Sequence, residues 1–129
     1  MKNEEDKESR VMDKVLAIIA RAIATRFTTD SCGIAMAFHE MKEKFPGEFE
    51  QLRFTFDGTF YESDDLDQVF SCLSMFSVIC PMGPDYRYYH VPAKTIERGE
   101  QEIIPSLSPS FIEALPEMVK IFSRLSKQC

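Results

Sequence analysis

Lysine and arginine are missing from the whole stretch between positions 57 and 80, which carries five acids. Surfaces that read nucleic acid need cations, because neutralising phosphate charge drives that binding. This stretch is therefore a poor candidate for such a surface. The chain as a whole holds 21 Asp and Glu against 15 Lys and Arg, a net charge of −6. That balance opposes nonspecific attraction to nucleic acid and to anionic membranes. Tryptophan is absent, and histidine occurs only at His39 and His90. His39 and Glu43 lie one helical turn apart, but no HExxH pattern and no third ligand accompany them, so they read as a surface ion pair. No GxGxxG, phosphate-binding loop or GxSxG motif is present. The cysteines Cys32, Cys72, Cys80 and Cys129 show neither CxxC spacing nor a Cys-His cluster. The expectation is no zinc site, and buried free thiols in a reducing cytoplasm. Long apolar runs are lacking too. The run from Val15 to Ala24 imitates a signal peptide, with Ala22-Ile23-Ala24 as a mock cleavage site. A net acidic start and the interruption by Arg21 make it a buried helix instead. These absences predict a cytoplasmic chain that is not an enzyme, has no cofactor or metal, and does not enter a membrane.

What the chain does contain is core material: 44% hydrophobic residues, with eleven Phe and seven Met among 129 positions. That length suits one domain over residues 1–129, with 1–8 frayed. From about Ser9 the spacing of Val11, Val15, Ile18, Ile19 and Ala22 predicts a helix with a wide buried face. Lys7, Lys14 and Arg21 recur on its opposite side and read as a solvated stripe. Thr28-Thr29-Asp30-Ser31 supplies N-capping oxygens for a second helix over about 31–44. Ile34, Ala37, Phe38 and Met41 face inward, and Pro46-Gly47 ends it. Leu52, Phe54 and Phe56 alternate with polar residues as in a half-buried strand, and Asp57-Gly58 makes a turn. Ser63 is positioned to cap a third helix, whose first turn holds Asp64, Asp65 and Asp67, where the helix dipole favours carboxylates. Val78-Ile79 reads as a short strand, Cys80 to Asp85 with its Pro-Met-Gly-Pro as a turn-rich connection, and 86–91 as the returning strand. Tyr86, Tyr88 and His90 share one of its faces; Arg87, Tyr89 and Val91 share the other. Residues 95–102 stay ambiguous. Ser108 and Pro109 open a last helix over 109–128, which Pro116 should kink or split.

The order is helix, helix, strand, helix, β-hairpin, helix. This is a mostly helical α+β layout of winged-helix-like type. Residues 32–91 resemble a bacterial family typified by YwgA and related to the Panacea antitoxin domain. The matching residues are Phe54-Thr55-Phe56-Asp57-Gly58, Tyr61-Glu62-Ser63-Asp64-Asp65-Leu66, Leu73, Val78-Ile79 and the strand from Tyr88 to Val91. Gly58-Thr59 stands where that family has Gly-Pro, and Phe76-Ser77 where it has a glycine before the wing. The resemblance implies a winged-helix-like domain linked to toxin neutralisation, and it brings no catalytic residues.

In a winged helix the third helix enters the major groove. Here that helix would bring three acids to phosphate and only Gln68, Ser71 and Ser74 further along. The expected function is accordingly a non-enzymatic protein-interaction module, an antitoxin-type or regulatory adaptor. Its expected partner-binding residues are Asp57, Glu62, Asp64, Asp65 and Asp67 as an acidic rim for a basic protein, with Tyr86, Arg87 and Tyr89 of the wing adding contact area. The alternative is a transcription regulator that binds DNA through the wing or the first helix's basic stripe. A homodimer is open under either reading.

Overall fold

The computed structural model describes residues 4–22, 26–28, 31–83 and 87–125, with side chains left undescribed at 4–10, 26–28 and 31. Helix α1 (Glu4–Arg21) lays Val11, Val15, Ile18 and Ile19 into the core, as their helical spacing requires, and Ala22 just past its end is buried too. Helix α2 (Ser31–Lys44) follows and stops just before Pro46-Gly47. Between them lies a strand the sequence does not announce, β1 (Arg26–Thr28); the capping cluster expected over Thr28 to Ser31 meets it only at Thr28, and Thr29 and Asp30 lie outside the described residues. The partner of β1 is β5 (Tyr88–His90), nearly half the chain away, so no local pattern could reveal it. Strand β4 (Cys80–Met82) completes an antiparallel sheet in the order β1-β5-β4. It begins two residues after Val78, the position from which a strand was expected.

The strand expected through Leu52, Phe54 and Phe56 shrinks to β2 (Thr55–Phe56), which pairs with β3 (Tyr61–Glu62) in a separate two-stranded ribbon. The reason is packing: Leu52 is buried, Phe54 is half-buried and Phe56 is exposed, so the chain climbs off the core as it advances. Helix α3 (Asp64–Met75) starts where expected. The Ser63 hydroxyl accepts a bond from the Leu66 N–H at 3.1 Å. Leu66, Phe70 and Leu73 point inward, while the continuation of that stripe fails at Phe76, because the helix has already ended.

Residues 93–106 are helical throughout: α4 (Ala93–Arg98), a π-helical turn (Gly99–Ile103) and α5 (Ile104–Ser106). Thr95 ties this segment to the end of α3, since its hydroxyl donates to the Val78 carbonyl at 2.6 Å. Helix α6 (Pro109–Leu125) runs on through Pro116. Its start is capped by the Ser108 hydroxyl, which accepts from Phe111 N–H at 3.3 Å.

The result is mostly helical α+β. One contiguous apolar cluster gathers α1, α2, α3 and α6. Phe38 sits near its centre, fully buried, with edge-on rings of Phe49, Phe70 and Phe122 at 5.8, 6.3 and 6.0 Å. No described helix is long and apolar enough to cross a membrane. The expectation of four free thiols fails at Cys32, which is disulfide-bonded, while Cys72 and Cys80 are free. The missing CxxC spacing was no guide, because a bridge joins residues that folding brings together, whatever their separation in sequence. Cys129 lies outside the described residues.

Candidate functional site

The β2–β3 ribbon and the first turn of α3 bring together the acids singled out in the sequence, and give each a different surrounding. Asp57 opens the four-residue turn between the strands. Its Oδ1 accepts the N–H groups of Thr59 and Phe60, both at 2.8 Å. Gly58 follows with φ 101, a left-handed conformation that glycine adopts without strain. The bonds from Phe60 and then Thr59 hold the Asp57 carboxyl below its usual range. Asp57 is therefore both a turn former and an exposed anion, and its Oδ2 takes no hydrogen bond among the described residues. Glu62 and Asp64 are exposed, and neither is in an ion pair among the described residues.

Asp65 differs. It accepts the Arg53 side chain at 3.0 and 3.2 Å and the Arg53 backbone N–H at 3.0 Å, a clamp that joins the approach to β2 with α3. The Arg53 hydrogen bond depresses its carboxyl. Asp67 departs in the opposite sense. Lost solvation, then the neighbouring Asp64 charge, raise its carboxyl. Its charge in turn adds to the burial that raises the Tyr89 hydroxyl. Tyr89 is half-buried with its ring 5.9 Å from Phe70, packed toward the core. Arg87 is exposed, and Tyr86 lies outside the described residues. Asp57, Glu62, Asp64 and Asp67 are thus exposed, while Asp65 is engaged by Arg53 and the Asp67 charge acts on Tyr89.

Sequence reasoning missed the aromatics beside these acids. Phe56 is 57% exposed and Phe60 42%. Phe56 pairs across the ribbon with Tyr61, their rings 4.9 Å apart. Tyr61 stacks on His39 at 3.6 Å and 16°, and His39 meets Phe54 edge-on at 5.3 Å. A ladder of rings therefore runs from the ribbon onto α2. At its inner end the Lys42 ammonium lies 5.9 Å from the Phe54 ring centre and also donates to the Leu52 carbonyl. The available signal was the Phe60-Tyr61 pair just past Asp57-Gly58, since a tight hairpin cannot bury aromatics on both of its faces. His39 also approaches Glu43 at 3.4 Å, as its helical spacing suggested.

Of the basic stripe on α1, Arg21 is exposed as expected, Lys14 is not, and the Lys7 side chain lies outside those described. Lys14 is 15% exposed, pairs with Glu48 at 3.2 Å and lies over the rings of Phe49 and Phe111. Arg21 binds Glu100 at 2.6 and 3.0 Å. Beside the Arg53–Asp65 clamp, a groove of about 570 Å³ runs between α1 and α3, with Met12, Gln68 and the Cys72 thiol among its walls. Among the described residues, no three His, Cys, Asp or Glu side chains are grouped to hold a metal ion. Compared with known proteins, the chain matches no family model, no curated protein and no solved structure.

Proposed function

We propose that this chain is a non-enzymatic protein-interaction module of winged-helix-like build, an adaptor of the antitoxin or regulatory kind, whose docking face is the β2–β3 ribbon with the start of α3. One observation carries this reading. Phe56 and Phe60, large and exposed, sit on the same short ribbon as the outward acids Asp57 and Glu62. Aromatics beside charge of one sign supply both contact area and steering toward a partner of opposite charge. The winged-helix-like build is supported by strand order: a strand between the first two helices pairs with the return strand of the β4–β5 hairpin that follows the third helix. DNA reading is disfavoured on the same surface, because the start of α3 is acidic and the α1 cations Lys14 and Arg21 are engaged by Glu48 and Glu100.

The test is affinity capture from the native host with wild type and with an Asp57→Asn, Glu62→Gln, Asp64→Asn variant. Asp65 is left unchanged, because Arg53 already engages it, and Asp67 because lost solvation already raises its carboxyl. The expected outcome is a stoichiometric basic protein held by wild type, with retention that weakens in salt and is lost in the variant. Co-purifying nucleic acid, or equal capture by both proteins, overturns the reading.

A further inference from the structure

Helices α2 and α6 run antiparallel, and two ion pairs set their register. The Arg124 guanidinium meets Glu40 at 2.6 Å, and the Lys44 ammonium meets Glu117 at 3.4 Å. Paired helices rise equally per residue. Twelve residues back from Lys44 is Cys32, and twelve forward from Glu117 is position 129, which is a cysteine. The Glu40–Arg124 pair gives the same place to within three residues, less than one turn. Cys32 also lies at steps of four from Glu40 and Lys44, on the ridge that α2 turns toward α6. A separate observation meets this one. Cys32 is part-buried and disulfide-bonded, whereas Cys72 and Cys80 are free. The sequence holds four cysteines, so a bridge within the chain has one partner left, Cys129.

We infer that Cys32 and Cys129 form a redox-dependent staple, which ties the start of α2 to the chain just past α6. Register and elimination reach this pair independently, and neither depends on the docking reading. A small-molecule disulfide such as oxidised glutathione closes the staple. One protein thiolate attacks it, forms a mixed disulfide and releases one small thiol; the second protein thiolate attacks the mixed disulfide and releases the other. In the net reaction one S–S bond breaks and one forms. Two electrons pass from the protein to the oxidant, and the two protons end on the released thiols. The loop so closed spans most of the chain, so the bridge removes much of the unfolded chain's freedom. It also holds together the two helices that bring Phe38 and Phe122 into contact in the core.

The experiment uses the full-length chain. The protein is equilibrated with oxidised glutathione, its remaining thiols are alkylated in denaturant, and the unreduced digest is read by mass spectrometry. The expected result is alkylation at Cys72 and Cys80 alone, with the Cys32 peptide joined to the Cys129 peptide. A Cys32 peptide joined to Cys72, to Cys80 or to glutathione overturns the staple, and so do four alkylated cysteines. A bridge between two copies, seen as a dimer on an unreduced gel, overturns it as well. Thermal unfolding supplies a second readout. Reduction of wild type with dithiothreitol is expected to lower the midpoint by about 5–15 °C. Unreduced Cys129→Ser should melt with reduced wild type, whereas Cys80→Ser should keep the full difference between its oxidised and reduced forms. Equal midpoints for oxidised and reduced wild type overturn the staple as a stabilising device, whatever the digest shows.

Discussion

Ser77 holds a left-handed backbone, φ 59, at the point where α3 hands the chain to β4. The turn is built by N–H groups folding back on the last carbonyls of the helix: Ser77 to Ser74 at 3.0 Å and Val78 to Leu73 at 2.9 Å. Such an ending wants glycine, since a side chain there crowds the following carbonyl. Ser77→Gly is therefore expected to stabilise the fold by about 0.5–1 kcal/mol, read as a raised urea midpoint with an unchanged slope. The same scale separates the acids. Five carboxylates looked alike in sequence, yet Asp57 shapes a turn, Asp65 clamps Arg53, Asp67 is desolvated beside Tyr89, and Glu62 and Asp64 face outward. Their positions were legible as a helix start because capping is a local matter. Their roles were not, because Arg53 and Tyr89 reach them only through the fold.

Among the elements, α1 and the π-helical turn approach each other closely. Gly99 packs so close that a Cβ there would lie 2.6 Å from Ala20 Cβ. Two helical segments meet here backbone to backbone, and only a missing side chain permits it. Gly99→Ala is expected to destabilise the fold by about 1–3 kcal/mol, because close-packed helices must shift to admit the methyl. Ala20→Gly introduced in the same chain should recover part of that loss, and thermal unfolding of the single and double variants checks both. The sequence left residues 95–102 ambiguous for the same reason: the residue that decides the element, Gly99, answers to α1 rather than to its own neighbours. The amphipathic helices were the opposite case. For α1, α3 and α6 the apolar spacing alone located the buried face, with Val15, Leu66 and Leu115 all buried.

At the scale of the whole molecule, acid and burial pull the stability curve in opposite directions. Asp65, depressed by Arg53, contributes stability that is present above its ordinary value of 3.8 and is lost as the pH falls through its lower folded value. Asp67, raised by desolvation, carries a penalty at neutral pH that is relieved as the pH falls through its raised value toward 3.8. Asp65→Asn should therefore be less stable than wild type at neutral pH, and the two curves should converge in acid. Asp67→Asn should be more stable at neutral pH, with a gain that vanishes below the same window. Urea unfolding across a pH series reads both. The sequence by itself determined the helical α+β character, the buried faces of the long helices, the cap at Ser63 and the acidic, cation-poor stretch from 57 to 80. Each of these depends on residues within a few positions of one another, or on composition alone. Only the tertiary structure decided that β1 joins β5, that Lys14 and Arg21 are engaged, that Cys32 is disulfide-bonded, and that Phe56 stands exposed at the end of a ring ladder. Those outcomes depend on which distant segments meet, and a linear pattern of apolar and polar residues does not encode that directly.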